Sequence, residues 1–96
     1  MERHCSGRAC FELLGRKWAA HVIWALRDGS RRFSELMAAI PGVSDRMLAR
    51  RLQELAAEGI VTRTLHAEVP ARVEYELTSK GDSLGPVIRE LSLIHI

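Results

Sequence analysis

Net charge is nearly absent from this chain of 96 residues. Fourteen lysines and arginines stand against 12 acidic residues, a formal charge of +2, so bulk electrostatics assigns no partner. Cysteine is scarce: Cys5 and Cys10 alone cannot make a disulfide framework, and a reducing cytoplasm is the expected compartment. No apolar run approaches the roughly 18 residues that would cross a bilayer, and no signal-peptide pattern opens the chain. Long repeats, low-complexity tracts and interdomain linkers are missing too. So are the phosphate loop, the G-x-S-x-G elbow and H-E-x-x-H. The expectation is a small cytoplasmic protein without membrane segment, catalysis or cofactor. His4, Cys5, Cys10, His21, His66 and His95 supply metal-ligand types, but none of the paired spacings of a zinc site, and no metal is expected.

What is present suits one soluble globular domain over residues 1–96: 47% of residues are hydrophobic and 27% charged. The basic residues are unevenly spread. Residues 1–72 carry 12 Lys/Arg against 8 Asp/Glu, whereas residues 73–96 carry 2 against 4. That is a mild lean toward an anionic partner in the first three quarters of the chain.

Glycine and proline cut the sequence into short units. A short helix is expected over about 9–14, ending at Gly15. Trp18, Val22, Ala25 and Leu26 recur at helical spacing in a second, about 17–28, before the Asp28-Gly29 turn. Phe33, Leu36, Met37 and Ile40 form an amphipathic stripe over 33–40, closed by Pro41-Gly42. Ser44 is an N-cap for a helix over 44–58, with Asp45 adding negative charge to its first turn. Gly59 closes that helix, and Ile60 can fold back on Leu55 in a Schellman ending. The period then changes. Residues 60–66 and 72–78 alternate and are rich in β-branched residues, with a loop at 67–71 between them, as in a hairpin. Leu84, Val87, Ile88 and Leu91 mark a last helix, about 80–93, which Thr78 or Ser79 could cap and in which Pro86 should cost a hydrogen bond or introduce a bend. The fold class expected is α+β, mostly helical: a helix-turn-helix followed by a β-hairpin, a winged helix.

The stretch SDRMLARRLQEL, Ser44 to Leu55, sets three arginines among leucines. At about 100° per residue, Leu48, Leu52 and Leu55 share one side. Arg46, Arg50 and Gln53 fall opposite, with small Ala49 beside them and Arg51 on the flank. Arginine and glutamine can read base edges, and a helix fits the major groove. The plainer reading is a solvated helix face. A third is a winged helix used for protein–protein assembly, although apolar anchors are more usual there.

The runs LLGRKWAAHVIWAL, RRFSEL, IPGVSDRMLARRLQELAAEGIVTR and VPARVEYELTSKG together resemble the HxlR-type winged-helix transcriptional regulators, near the MarR-like regulators of bacteria and archaea. The resemblance spans roughly Cys5 to Leu91, with four motifs in order. It implies a homodimeric, sequence-specific regulator of double-stranded DNA. Residues 44–58 would enter the major groove, the tip at 66–72 would touch the adjacent backbone or minor groove, and the terminal helices would pair. The implied DNA-facing set is Arg32, Ser34, Ser44, Asp45, Arg46, Ala49, Arg50, Arg51, Gln53 and Arg72. In it Arg32 and Arg51 hold phosphates, and Arg72 is the wing contact or else a strand-end cation facing Glu74 or Glu76. Cys5 matches a cysteine that some members use to sense oxidants or electrophiles, which leaves two readings: a sensor thiol answering an oxidant or small-molecule effector, or an inert, partly buried thiol. The tail LSLIHI departs from the family, which usually continues its last helix further.

Overall fold

The computed structural model describes residues 12–90. Residues 12–14 are helical, and then follow α1 (Ala19–Ala25), β1 (Arg31–Arg32), α2 (Phe33–Ala39), α3 (Asp45–Ala57), β2 (Val61–His66), β3 (Arg72–Leu77), α4 (Ser79–Asp82) and α5 (Gly85–Glu90). This is the winged helix expected, mixed helix with a small antiparallel sheet. No helix among the described residues is long and apolar enough to cross a membrane.

The core gathers around α1, whose Ala19, Ala20, Val22, Ile23 and Ala25 are all buried. Against it pack Leu36 of α2, Leu48, Leu52 and Leu55 of α3, Ile60 and Val61 at the root of the wing, and Leu84 and Ile88 near the end of the described chain. The leucine seam read from the sequence is therefore the inner face of α3.

The ends of α3 are built from local chemistry. Ser44 accepts from the Met47 amide at 3.1 Å, the N-cap expected. At the other end Gly59 takes φ +75°, Ile60 N–H donates to the Leu55 carbonyl at 2.9 Å and Gly59 N–H donates to the Ala56 carbonyl at 3.0 Å. Those two bonds define the Schellman ending, and Leu55 and Ile60 are both fully buried. Lys80 Nζ donates to the Glu58 carbonyl at 2.9 Å, a cation on the negative end of the helix. The Thr78 hydroxyl donates to the Gly59 carbonyl and accepts from the Gly81 amide, capping α4.

Four features differ from the sequence expectation. The helix expected over 17–28 is only Ala19–Ala25. Trp18 before it is left-handed at φ 77°, and the Lys17 carbonyl accepts from Arg51 Nε at 2.8 Å rather than from its own helix. The helix expected over 80–93 is broken into α4 and α5 across residues 83–84. Pro86 explains the break: it has no amide to donate, and its ring would strike the carbonyl four residues back in a continuous helix. As the second residue of α5 its missing N–H costs nothing. The hairpin gains a third strand, giving the order β1-β3-β2, with Arg31 opposite Tyr75 and Arg32 opposite Glu74. Two residues are too few to show alternation. The fourth is Arg51, expected on an accessible flank, which is buried with 8% of its surface exposed. Its guanidinium ties α3 to the Lys17 carbonyl and pairs with Glu54 of the same helix, at 2.8 Å each.

A side chain at Gly81 would drive its Cβ into the Ile60 carbonyl and the side chains of Ile60 and Leu77, whereas Gly85 faces open space. Gly81→Ala should therefore lower stability by about 1–3 kcal/mol, and Gly85→Ala should not lower it; urea unfolding curves check both. Arg51→Ala should cost about 2 kcal/mol in the same assay, because it strips charge-assisted hydrogen bonds from a buried junction.

Candidate nucleic-acid interface

With its leucine seam sealed against α1, α3 turns Arg46, Ala49, Arg50 and Gln53 to the surface, where all four are exposed. Arg46 has no ion-pair partner among the described residues; its amide donates to Asp45 Oδ1 at 2.7 Å. Arg50 keeps 68% of its side chain exposed, with Nε 3.5 Å from Glu54 Oε2. That contact is a loose (i, i+4) pair on a solvated face, weak enough to be exchanged for another anion. Ser44 and Asp45 are exposed at the start of the same helix. Seven of the ten expected residues thus share one helix and its cap; six of the seven are exposed, and four of those share one face.

The other three are dispersed. Arg32 and Ser34 are exposed where β1 passes into α2, and the Arg32 amide donates to Glu35 Oε1 at 2.7 Å. Arg72 begins β3 opposite His66. Its guanidinium lies 3.3 Å from Glu68 and 3.6 Å from Glu74, and Glu74 also meets His66 Nε2 at 2.8 Å. Arg72 thus has the contacts of a strand-end cation, with Glu74 as foreseen and Glu68 in place of Glu76. Arg51 is the inward residue already described.

Two features of the surface lie outside the expected set. Glu54 is a junction for three guanidinium groups: Arg16 at 2.6 Å, Arg51 at 2.8 Å and Arg50 at 3.5 Å. One carboxylate leaves two net positive charges there, and it fastens one flank of α3 to the segment before α1. On the opposite flank, Arg63 and Tyr75 of the sheet line an opening together with Ala49, Gln53 and Ala56 of the helix. A signal for Arg63 was available: it shares strand parity with Val61 and Leu65, a cation on an apolar side. Cys5 and Cys10 lie outside the described residues.

The comparisons with known proteins agree with this geometry. The model of the HxlR-like helix-turn-helix family matches residues 13–94. The HTH-type transcriptional regulator YvaP of Bacillus subtilis is 46% identical over 81 residues, covering 84% of this chain and 75% of that protein. The B. subtilis HTH-type transcriptional regulator YodB is 43% identical over 83 residues, covering 86% and 74%. The structure of YodB in its reduced form superposes with a TM-score of 0.81 at 42% identity, over 88% of this chain and 83% of that one. The redox regulator HypR in its oxidised form gives 0.80 at 36% identity, over 86% of each chain. The likeness covers the helix-turn-helix and the wing together, and the chain belongs to the HxlR-like helix-turn-helix family of transcriptional regulators.

Proposed function

We propose that this chain is a cytoplasmic, homodimeric regulator without catalysis of its own, which binds double-stranded DNA sequence-specifically. Each protomer lays α3 in a major groove and sets the hairpin tip, residues 66–72, against the neighbouring backbone or minor groove. The observation that carries the reading is the outward face of Arg46, Ala49, Arg50 and Gln53 on a helix whose other face is sealed in the core. An arginine fork matches the acceptors of guanine, and a glutamine amide matches adenine. Ala49 leaves room between them for close approach. A face made for protein assembly would carry apolar anchors there.

Within this reading the residues divide by role. Arg46, Arg50 and Gln53 read bases. Arg32 and Ser34 meet phosphates and set register without carrying sequence information. Ser44 and Asp45 hold the start of the rod, since the Ser44 hydroxyl is engaged by Met47. Arg51 moves from the phosphate-contacting set to a positioning role, because its guanidinium is used inside the protein. Arg72 offers a charge already shared with Glu68 and Glu74, so its contribution at the wing is small. Terminal segments pair the two protomers.

The effector we propose is an oxidant or electrophile acting on Cys5. Two observations support it: the residue's place in the family pattern, and the treatments of a related structure, YodB, solved with diamide and with bound quinone. Basic Arg3, His4 and Arg8 near it in sequence favour the reactive thiolate.

Two experiments test this. In fluorescence anisotropy with sites selected from random DNA, Arg50→Ala should weaken binding by about 1–3 kcal/mol and relax specificity, while Arg32→Ala weakens all sequences alike; an Arg50→Ala protein that binds like wild type removes the reading role. Diamide should release DNA from the wild type and leave the Cys5→Ser complex intact; equal responses eliminate Cys5 as the sensor.

A further inference from the structure

We propose a phosphate-holding notch on the wing side of α3, which receives one sugar–phosphate unit of the DNA strand bordering the major groove. It rests on the DNA-binding reading above and adds a site outside the set foreseen from the sequence. The notch has a volume of about 300 Å³ and is lined by Ala49, Leu52, Gln53, Ala56, Arg63 and Tyr75.

Three observations point to this occupant. The first is charge. Arg63 is exposed and has no carboxylate within ion-pair distance among the described residues, unlike Arg16, Arg50, Arg51 and Arg72, which each have one. A free guanidinium fork at the lip of a notch matches two oxygens of a phosphate. The second is the sheet register. Tyr75 sits directly opposite Arg63 on one side and Arg31 on the other. Residues directly opposite each other share a face of the sheet, so the row Arg31–Tyr75–Arg63 presents two cations around one phenol. The Tyr75 hydroxyl has no hydrogen-bond partner among the described residues and can donate to the same anion. The third is continuity with the reading face. Gln53 belongs both to that face and to the notch, and Ala49 and Ala56 are exposed and small. A strand whose bases are read from the Gln53 side passes over this opening, with its ribose against the two alanines and its phosphate at Arg63. An uncharged ligand would leave the guanidinium unanswered.

The test is equilibrium binding of the 96-residue chain to a fluorescein-labelled random-sequence duplex, across a salt series, with Arg63→Gln, Arg63→Lys and Tyr75→Phe. Losing one phosphate contact flattens the plot of log affinity against log salt by about 0.9 per protomer. Arg63→Gln should show that flattening and bind roughly tenfold more weakly. Arg63→Lys should restore the wild-type slope, which a merely structural loss would not do. Tyr75→Phe should bind more weakly with the slope unchanged. A wild-type chain that binds with steep salt dependence, beside an Arg63→Gln chain of the same slope and affinity, overturns the notch alone. It would then hold an uncharged occupant or none. A wild type with no salt-dependent binding overturns the DNA-binding reading and the notch with it.

Discussion

The burial of Leu48, Leu52 and Leu55 against α1 governs everything else in this molecule. Each of the three is all but inaccessible, and each is worth about 1.5–3 kcal/mol relative to an exposed leucine. The seam fixes the rotation of α3 about its own axis. Once that rotation is fixed, helical geometry leaves Arg46, Arg50 and Gln53 no direction but outward. The face proposed to read bases is thus a consequence of where the leucines lie, and no polar contact is needed to aim it.

Around that seam the two flanks of α3 are treated differently. On one, Glu54 and Arg51 bind the helix to Arg16 and to the Lys17 carbonyl, so the guanidinium groups there already have partners within the protein. On the other, small exposed side chains leave an opening between helix and sheet, and Arg63 and Tyr75 stand at it without hydrogen-bond or ion-pair partners among the described residues. The net charge of the whole chain hides this division. What distinguishes one arginine from another is whether a carboxylate or carbonyl of the same chain has already claimed it.

That distinction also marks how far the residues alone could be read. The helix over 44–58, its Ser44 cap, its Gly59 ending and the hairpin were legible because each follows from contacts within a few positions of sequence. The whole outer face of α3 was legible for the same reason. The wheel placed Arg51 on the flank correctly, but its inward turn depends on a carbonyl 34 residues away, which no local pattern reveals. The left-handed Trp18 belongs to that same long-range contact. Strand β1 is defined only by its pairing with Tyr75 and Glu74. The break ahead of Pro86 was foreseen as a bend or a lost bond, and the chain resolves it by starting a new helix.

At the foot of the wing, residues 58–60 and 78–81 form one knot. Lys80 holds the Glu58 carbonyl that caps α3, Thr78 bridges to Gly59, Thr78 N–H donates to the Ile60 carbonyl, and Gly81 has no room for a methyl group. Three parts of the molecule meet there without slack: α3, the hairpin and the segment that continues into α4. A torque applied to that segment cannot be absorbed at the knot. In the homodimer proposed above, rod and hairpin would swing together as one arm, so the spacing between the two arms would follow the angle at which α4 and α5 leave this knot.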